Sequence, residues 1–171
     1  MIRKLEAWIS QNEPSRTAEF KNSLNVPASD KALDELEAKV GEKLPAAFRE
    51  CYLHADGMNV KGGATPWRLL SLSEICRILD AYTGMDVYDD LVTQFAWSRR
   101  WLPFAIDMTG DNLCLNLIPQ EQLGGDGQPY DLQHSGGVFV YRHAENVVKS
   151  YASDLSECID CWIEDRVELS L

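Results

Sequence analysis

A chain of 171 residues has room for one domain with a real core and too little for two comfortable ones. Its 45% hydrophobic and 25% charged content is that of a soluble globular protein, and it has no run of about 18 apolar residues that could span a membrane. A net charge of -11 excludes nucleic acid and anionic membrane surfaces as natural partners, since binding to either draws on Lys and Arg.

The same negative field attracts a basic protein partner and speeds the encounter. It also serves plain solubility, and charge alone does not choose between the two. The opening residues, MIRKLEAWISQNEP, lack the continuous apolar region and small-residue cleavage site of a secretion signal. The expected location is the cytoplasm. Cys51, Cys76, Cys114, Cys158 and Cys161 are odd in number and scattered, so reduced core thiols are expected rather than a disulfide framework. Cys158-x-x-Cys161 has no second ligand pair to complete a zinc site and falls inside a predicted helix, where a thioredoxin-like motif does not sit.

In chain order, Ile2, Leu5 and Ile9 mark one face of a first helix, with Trp8 beside them. Residues 12–27 read as an irregular connection. Ser29 is a good N-cap for a second helix, followed by Leu33, Leu36, Val40 and Leu44 at helical spacing, with Gly41 as its C-terminal stop. Pro45 suits the start of a third helix, which carries Phe48, Cys51, Tyr52 and Ala55 and ends at Gly57. Lys61 to Ala64 is a loop, and Trp67 to Leu72 an early strand. Ser71 and Glu74 have capping-box spacing ahead of the stripe Ile75, Ile78, Leu79 and Tyr82. From Met85 to Arg100 the pattern fits helix and loop equally.

Trp101 to Pro119 is the clearest local signal. Phe104 and Ile106 share one side of a strand, Leu113, Leu115 and Leu117 one side of the next, and Thr109-Gly110-Asp111-Asn112 supplies the turn between them. Residues 120–137 read as a long surface loop. Val138 to Arg142 and Val147 to Tyr151 form a second hairpin, and a last helix starts at Ser153 or Asp154. Helices followed by hairpin-linked strands and one closing helix predict an α+β fold. The expectation is a single domain over residues 1–171, with helices packed on a mainly antiparallel sheet.

Catalytic machinery is not in evidence. His54, His134 and His143 accompany no nucleophile motif, and the glycine pairs lack the Lys-Ser/Thr of a phosphate loop, so neither a catalytic residue nor a cofactor is expected. Asp107 and Asp111 flank the hairpin turn. They fit a carboxylate or metal pair on paper, but Asp in such turns ordinarily bonds its own backbone. Asp86, Asp89 and Asp90 form the compact acidic cluster, readable as a solvated face or as a docking patch for a basic protein. Asp126 and Asp131 add acidity to the 120–137 loop. These five aspartates are the candidate partner-binding residues.

A family resemblance rests on motifs spread along most of the chain. Glu6-Ala7-Trp8-Ile9 with Asn12-x-Pro14, then Leu36-Glu37, Val40-Gly41 and Leu44-Pro45, occur in the order of the SMI–KNR-type SUKH superfamily. Tyr52-x-His54-x-Asp56-Gly57 is similar to that family's helix end. Trp101-x-Pro103-Phe104-Ala105-x-Asp107 with Gly110-Asp111 and Leu113-Cys114-Leu115 through Pro119 resembles its central hairpin. Asn116 departs from the family's usual Asp, which puts any binding role of that position in doubt. The resemblance implies a non-enzymatic α+β domain that, in bacteria, binds and neutralises a cognate toxin, often a nuclease or deaminase. In fungi it implies an interaction hub of cell-wall signalling. The compact size is closer to the bacterial type.

Overall fold

The computed structural model describes residues 1–59, 66–89, 91–123 and 134–168, with side chains described as far as Glu164. Among them run helices α1 (Ile2–Asn12), α2 (Thr17–Ser23), α3 (Asp30–Val40), α4 (Ala46–His54), α5 (Leu72–Tyr82) and α6 (Leu155–Glu168). The strands are β1 (Arg68–Leu69), β2 (Asp86–Asp89), β3 (Thr93–Ala96), β4 (Trp101–Ile106), β5 (Asn112–Asn116), β6 (Val138–Arg142) and β7 (Val147–Ala152). The strands form one sheet in the order β1-β4-β5-β6-β7-β2-β3. All pairings are antiparallel except β2 with β7, which is parallel. The fold is α+β, as the sequence predicts.

Helix boundaries follow the local signals. Ser29 Oγ accepts the Ala32 N–H at 3.2 Å at the start of α3, and Gly41 closes that helix at φ +78°. Both halves of the Ser71–Glu74 capping box are present on α5. Asp154 takes the Ser156 and Glu157 amides at 2.7 and 2.8 Å ahead of α6. The expected irregular connection over residues 12–27 is a correction: Pro14–Arg16 make a 3-10 turn and α2 follows, anchored by the fully buried Phe20. A seven-residue helix with one large apolar anchor has too few turns to display a periodicity.

All six helices contribute to a core on one face of the sheet. Ile2, Leu5 and Ile9 of α1, Leu33 and Leu36 of α3, Phe48 and Tyr52 of α4, Ile75 of α5 and Trp162 of α6 meet Leu102, Phe104, Leu113, Leu115 and Val138. The opposite face is apolar too. There Trp97, Trp101, Phe139 and Tyr141 pack edge to face at centroid distances of 5.1 to 5.6 Å, over Cys114, Val87 and Val148. β4 and β5 are therefore buried on both sides, a two-sided core where the alternation of Leu113 and Leu115 predicted one. A bulge between Pro103 and Ala105 adjusts the register of that hairpin.

Candidate partner-binding surface

The motif residues of the sequence are occupied with holding backbone. Tyr52, stacked on Phe48 at 4.5 Å, donates its hydroxyl to Leu70 O at 2.9 Å. Asp56 Oδ1 accepts the Leu72 N–H at 2.7 Å and so caps α5 from another segment. Gly57 sits at φ +73°, and a Cβ there would lie 2.5 Å from the Leu70 carbonyl carbon, so only glycine fits. Asp107 Oδ1 gathers the amides of Thr109, Gly110 and Asp111 at 2.8 to 2.9 Å, which is the turn role expected of it. Asp111 differs: its Oδ1 takes both the His143 N–H and the His143 ring nitrogen at 3.0 Å, tying the two hairpin turns together. Asn116, 1% exposed, accepts the Ile118 N–H and donates to His134 O at 3.1 Å, gripping both ends of the 120–137 loop. Its amide does a structural task that an Asp, lacking the N–H donor, could do only in part.

Little of this resembles chemistry. Burial pushes the Cys51 thiol up to about 11 and the Cys114 thiol well above its ordinary value, so both are neutral and poor nucleophiles at physiological pH. His54 lies between Arg3, at 3.4 Å, and Glu6, at 3.3 Å, as part of a surface polar cluster. Among the described residues no three His, Cys, Asp or Glu side chains cluster closely enough to hold a metal ion. A pocket of about 270 Å³ between α1 and α4 is lined by Arg3, Glu50, Cys51 and Leu53, with opposed charges and a protonated thiol at its base.

The β2–β3 hairpin stands apart. The sequence left 85–100 between helix and loop; it forms two four-residue strands instead. The turn was hidden because its positive-φ position, at φ +62°, is Leu91, where glycine, asparagine or aspartate would have announced it. The hairpin is held to the sheet by the parallel pairing Tyr88–Val147 and Asp89–Val148 and by Asn146. Asn146 accepts the Tyr88 N–H at 3.0 Å, donates its Nδ2 to Asp86 O at 3.0 Å, and accepts the Tyr141 hydroxyl at 3.0 Å. Nothing in the pattern around Asn146 singled it out beyond its place in a hairpin turn.

On one face the hairpin inserts Val87 and Phe95 into the aromatic cluster. Asp86 pairs across from Ala96 and Tyr88 from Gln94, so these four share the other face, the one the helices cover elsewhere. Asp86, Gln94 and Ala96 are exposed, so the helical layer leaves this end of the sheet open. At the tip Leu91 and Val92 are 65% and 81% exposed.

The candidate aspartates separate accordingly. Asp86 faces solvent on the open face. Asp89 is 8% exposed, and its carboxylate accepts the Thr93 N–H at 3.1 Å, a turn-forming role. Asp90, Asp126 and Asp131 lie outside the described residues. From Ile78 to Ser98 the sequence holds four aspartates and no Lys or Arg, and Asp80 alone of the described ones is paired, with Lys39.

Among the described residues no helix is long and apolar enough to cross a membrane. No curated protein matches the chain. A family model does, over residues 27–161, which leaves the Glu6 to Pro14 motif outside the match although α1 shares the core. That stretch takes in the Tyr52–Gly57 helix end, the central hairpin and the open β2–β3 hairpin, and with it the chain belongs to the SMI1 / KNR4 family (SUKH-1).

Proposed function

We propose that this chain is a non-enzymatic binding protein of the cytoplasm that neutralises a toxin by covering its basic active or substrate surface. The observation that carries the reading is the pairing of family membership with an open, acidic, cation-free hairpin on a chain of net charge -11. A toxin that handles nucleic acid presents Lys and Arg, and an acidic partner competes for them while steering the encounter. Asp86 and Asp90 on the β2–β3 hairpin, with Asp126 and Asp131 of the 120–137 loop, are the carboxylates assigned to this contact. Asp89 keeps its place in the turn. In this reading one domain takes in residues 1–171, and the burial of Ile2, Leu5 and Ile9 in the sheet-facing core supports its N-terminal part.

The test is co-expression with toxin domains encoded beside this gene. Growth is expected to be rescued by the chain, and a complex to co-purify and weaken steeply with salt. Equal killing with and without the chain sinks the reading. The other reading is an intracellular scaffold of the cell-wall-regulator type. Recovery of a stable endogenous complex that contains no toxic domain selects it.

A further inference from the structure

The sheet ends at β3, and its hydrogen-bonding parity decides which backbone groups face outward. Tyr88 donates its N–H to Asn146 O on the β7 side, so Val87 and Asp89 turn theirs toward β3. Met85 O accepts the Trp97 N–H at 2.7 Å, in the same phase. Thr93 and Phe95 therefore bond to β2, and the N–H and C=O groups of Gln94 and Ala96 point away from the sheet. Both residues are exposed. Proteins ordinarily blunt such an edge with Lys, Pro, a bulge or a covering segment, and Thr93-Gln94-Phe95-Ala96 carries none of the first three.

The opposite end of the sheet is covered at β1. The Met58 N–H binds Leu69 O at 2.9 Å, Arg68 Nη1 binds Met58 O at 3.0 Å, and Leu24 bridges to Met58 beyond. Among the described residues, β1 is thus covered by Met58 while the outward backbone of Gln94 and Ala96 meets no partner, flanked by exposed Leu91 and Val92.

Charge selects the occupant. A second copy pairing through β3 brings an identical cation-free hairpin, with its own exposed Asp86, against the first. An extended segment bearing Lys or Arg meets the Asp86 carboxylate as an opposite charge. We propose that β3 takes up an extended basic segment of a partner protein as an additional antiparallel or parallel strand, with Leu91 and Val92 as apolar contacts at its end. This rests on the reading of the chain as a module that binds a basic protein, and it assigns the mode of that binding to backbone pairing at Gln94 and Ala96.

Gln94→Pro tests the backbone directly. The Gln94 N–H makes no ladder bond, so the substitution is compatible with a folded edge strand while removing one docking donor. Gln94→Ala keeps the donor and controls for the side chain, and an unchanged urea midpoint confirms that both variants fold. The probe is a nonapeptide alternating Lys with Val and Thr, beside the same peptide with Glu in place of Lys. With the Lys peptide, the Gln94 and Ala96 amide resonances of the wild-type chain are expected to shift and gain exchange protection; with the Glu peptide they are not. Gln94→Pro is expected to bind roughly tenfold more weakly or worse, and Gln94→Ala like wild type. Unperturbed Gln94 and Ala96 amides overturn the proposal, and so does a concentration-dependent homodimer that Gln94→Pro abolishes.

Where a neighbouring toxin domain binds, that arm decides. Equal affinity for wild type and Gln94→Pro overturns edge pairing but leaves the neutralising role standing. Peptide capture that Gln94→Pro destroys, with no toxin neutralised, upholds the edge and sinks the neutralising role.

Discussion

The two ends of the sheet are built from the same backbone and left in opposite conditions. At the β1 end, the Met58 N–H takes the outward Leu69 carbonyl, Arg68 reaches over to Met58 O, and Tyr52, Asp56 and Gly57 lock the crossing of chain above them. At the β3 end, among the described residues, the outward backbone of Gln94 and Ala96 and the Asp86 carboxylate meet no partner, and Leu91 and Val92 expose carbon. The residues by which the family is recognisable lie in the closed part. What remains available to a partner lies in a hairpin that carries none of those motifs. Satisfied groups make a fold, and unsatisfied ones make a surface that another molecule can complete.

Substitutions can break this contrast, most severely in the closed part. Phe104→Ala removes a fully buried ring beneath the helices and is expected to cost about 3–5 kcal/mol in urea unfolding. Gly57→Ala forces a Cβ into the Leu70 carbonyl at positive φ, so a loss of more than about 2 kcal/mol is expected, with near-wild-type values excluding the close approach. Glu37→Gln weakens a 7% exposed carboxylate that binds Lys43, the Leu44 N–H and Arg49, for roughly 1–3 kcal/mol.

Glu37 also sets a pH dependence. The Lys43 hydrogen bond foremost, with the Leu44 amide and Arg49, outweighs burial and holds its carboxyl below the ordinary value of 4.5. A depressed folded value means this stability is present above pH 4.5 and is lost as pH falls through the lower folded value. The urea midpoint of wild type is therefore expected to drop across that acidic window, and Glu37→Gln to show a shallower drop.

In the open hairpin the expected effects are small or reversed. Leu91→Gly relieves a left-handed leucine and should raise stability by about 0.5–1 kcal/mol. Val92→Ser should change stability by less than about 0.5 kcal/mol, since the side chain is 81% exposed, while weakening partner binding. A large destabilisation by Val92→Ser, measured in the free chain, would place the tip in the closed part of the molecule and erase the contrast.

Much of the fold was legible because its signals are local. The Ser29 and Ser71 caps, the Gly41 stop, and the Asp107 turn act within a few residues of their own position, where spacing in sequence is spacing in space. The β2–β3 hairpin was not legible, because four-residue strands are too short to display an alternation and a leucine stands at a positive-φ turn position. Of the acidic candidates there, the sequence placed Asp86 and Asp89 on equal terms. Pairing with Thr93 turned one of them inward.

By itself the sequence determined every helix but α2, the central hairpin, the α+β class, the acidic balance and the family pattern, all set by near-neighbour backbone preferences and by summed charge. Only the tertiary structure decided that β4 and β5 are buried on both faces, that Asn116 and Asn146 act as fasteners, and that one sheet edge is closed while the other is open. Those outcomes depend on which distant segments meet. A residue's own neighbours in the chain carry no information about whether its outward carbonyl will find the Met58 N–H or find solvent.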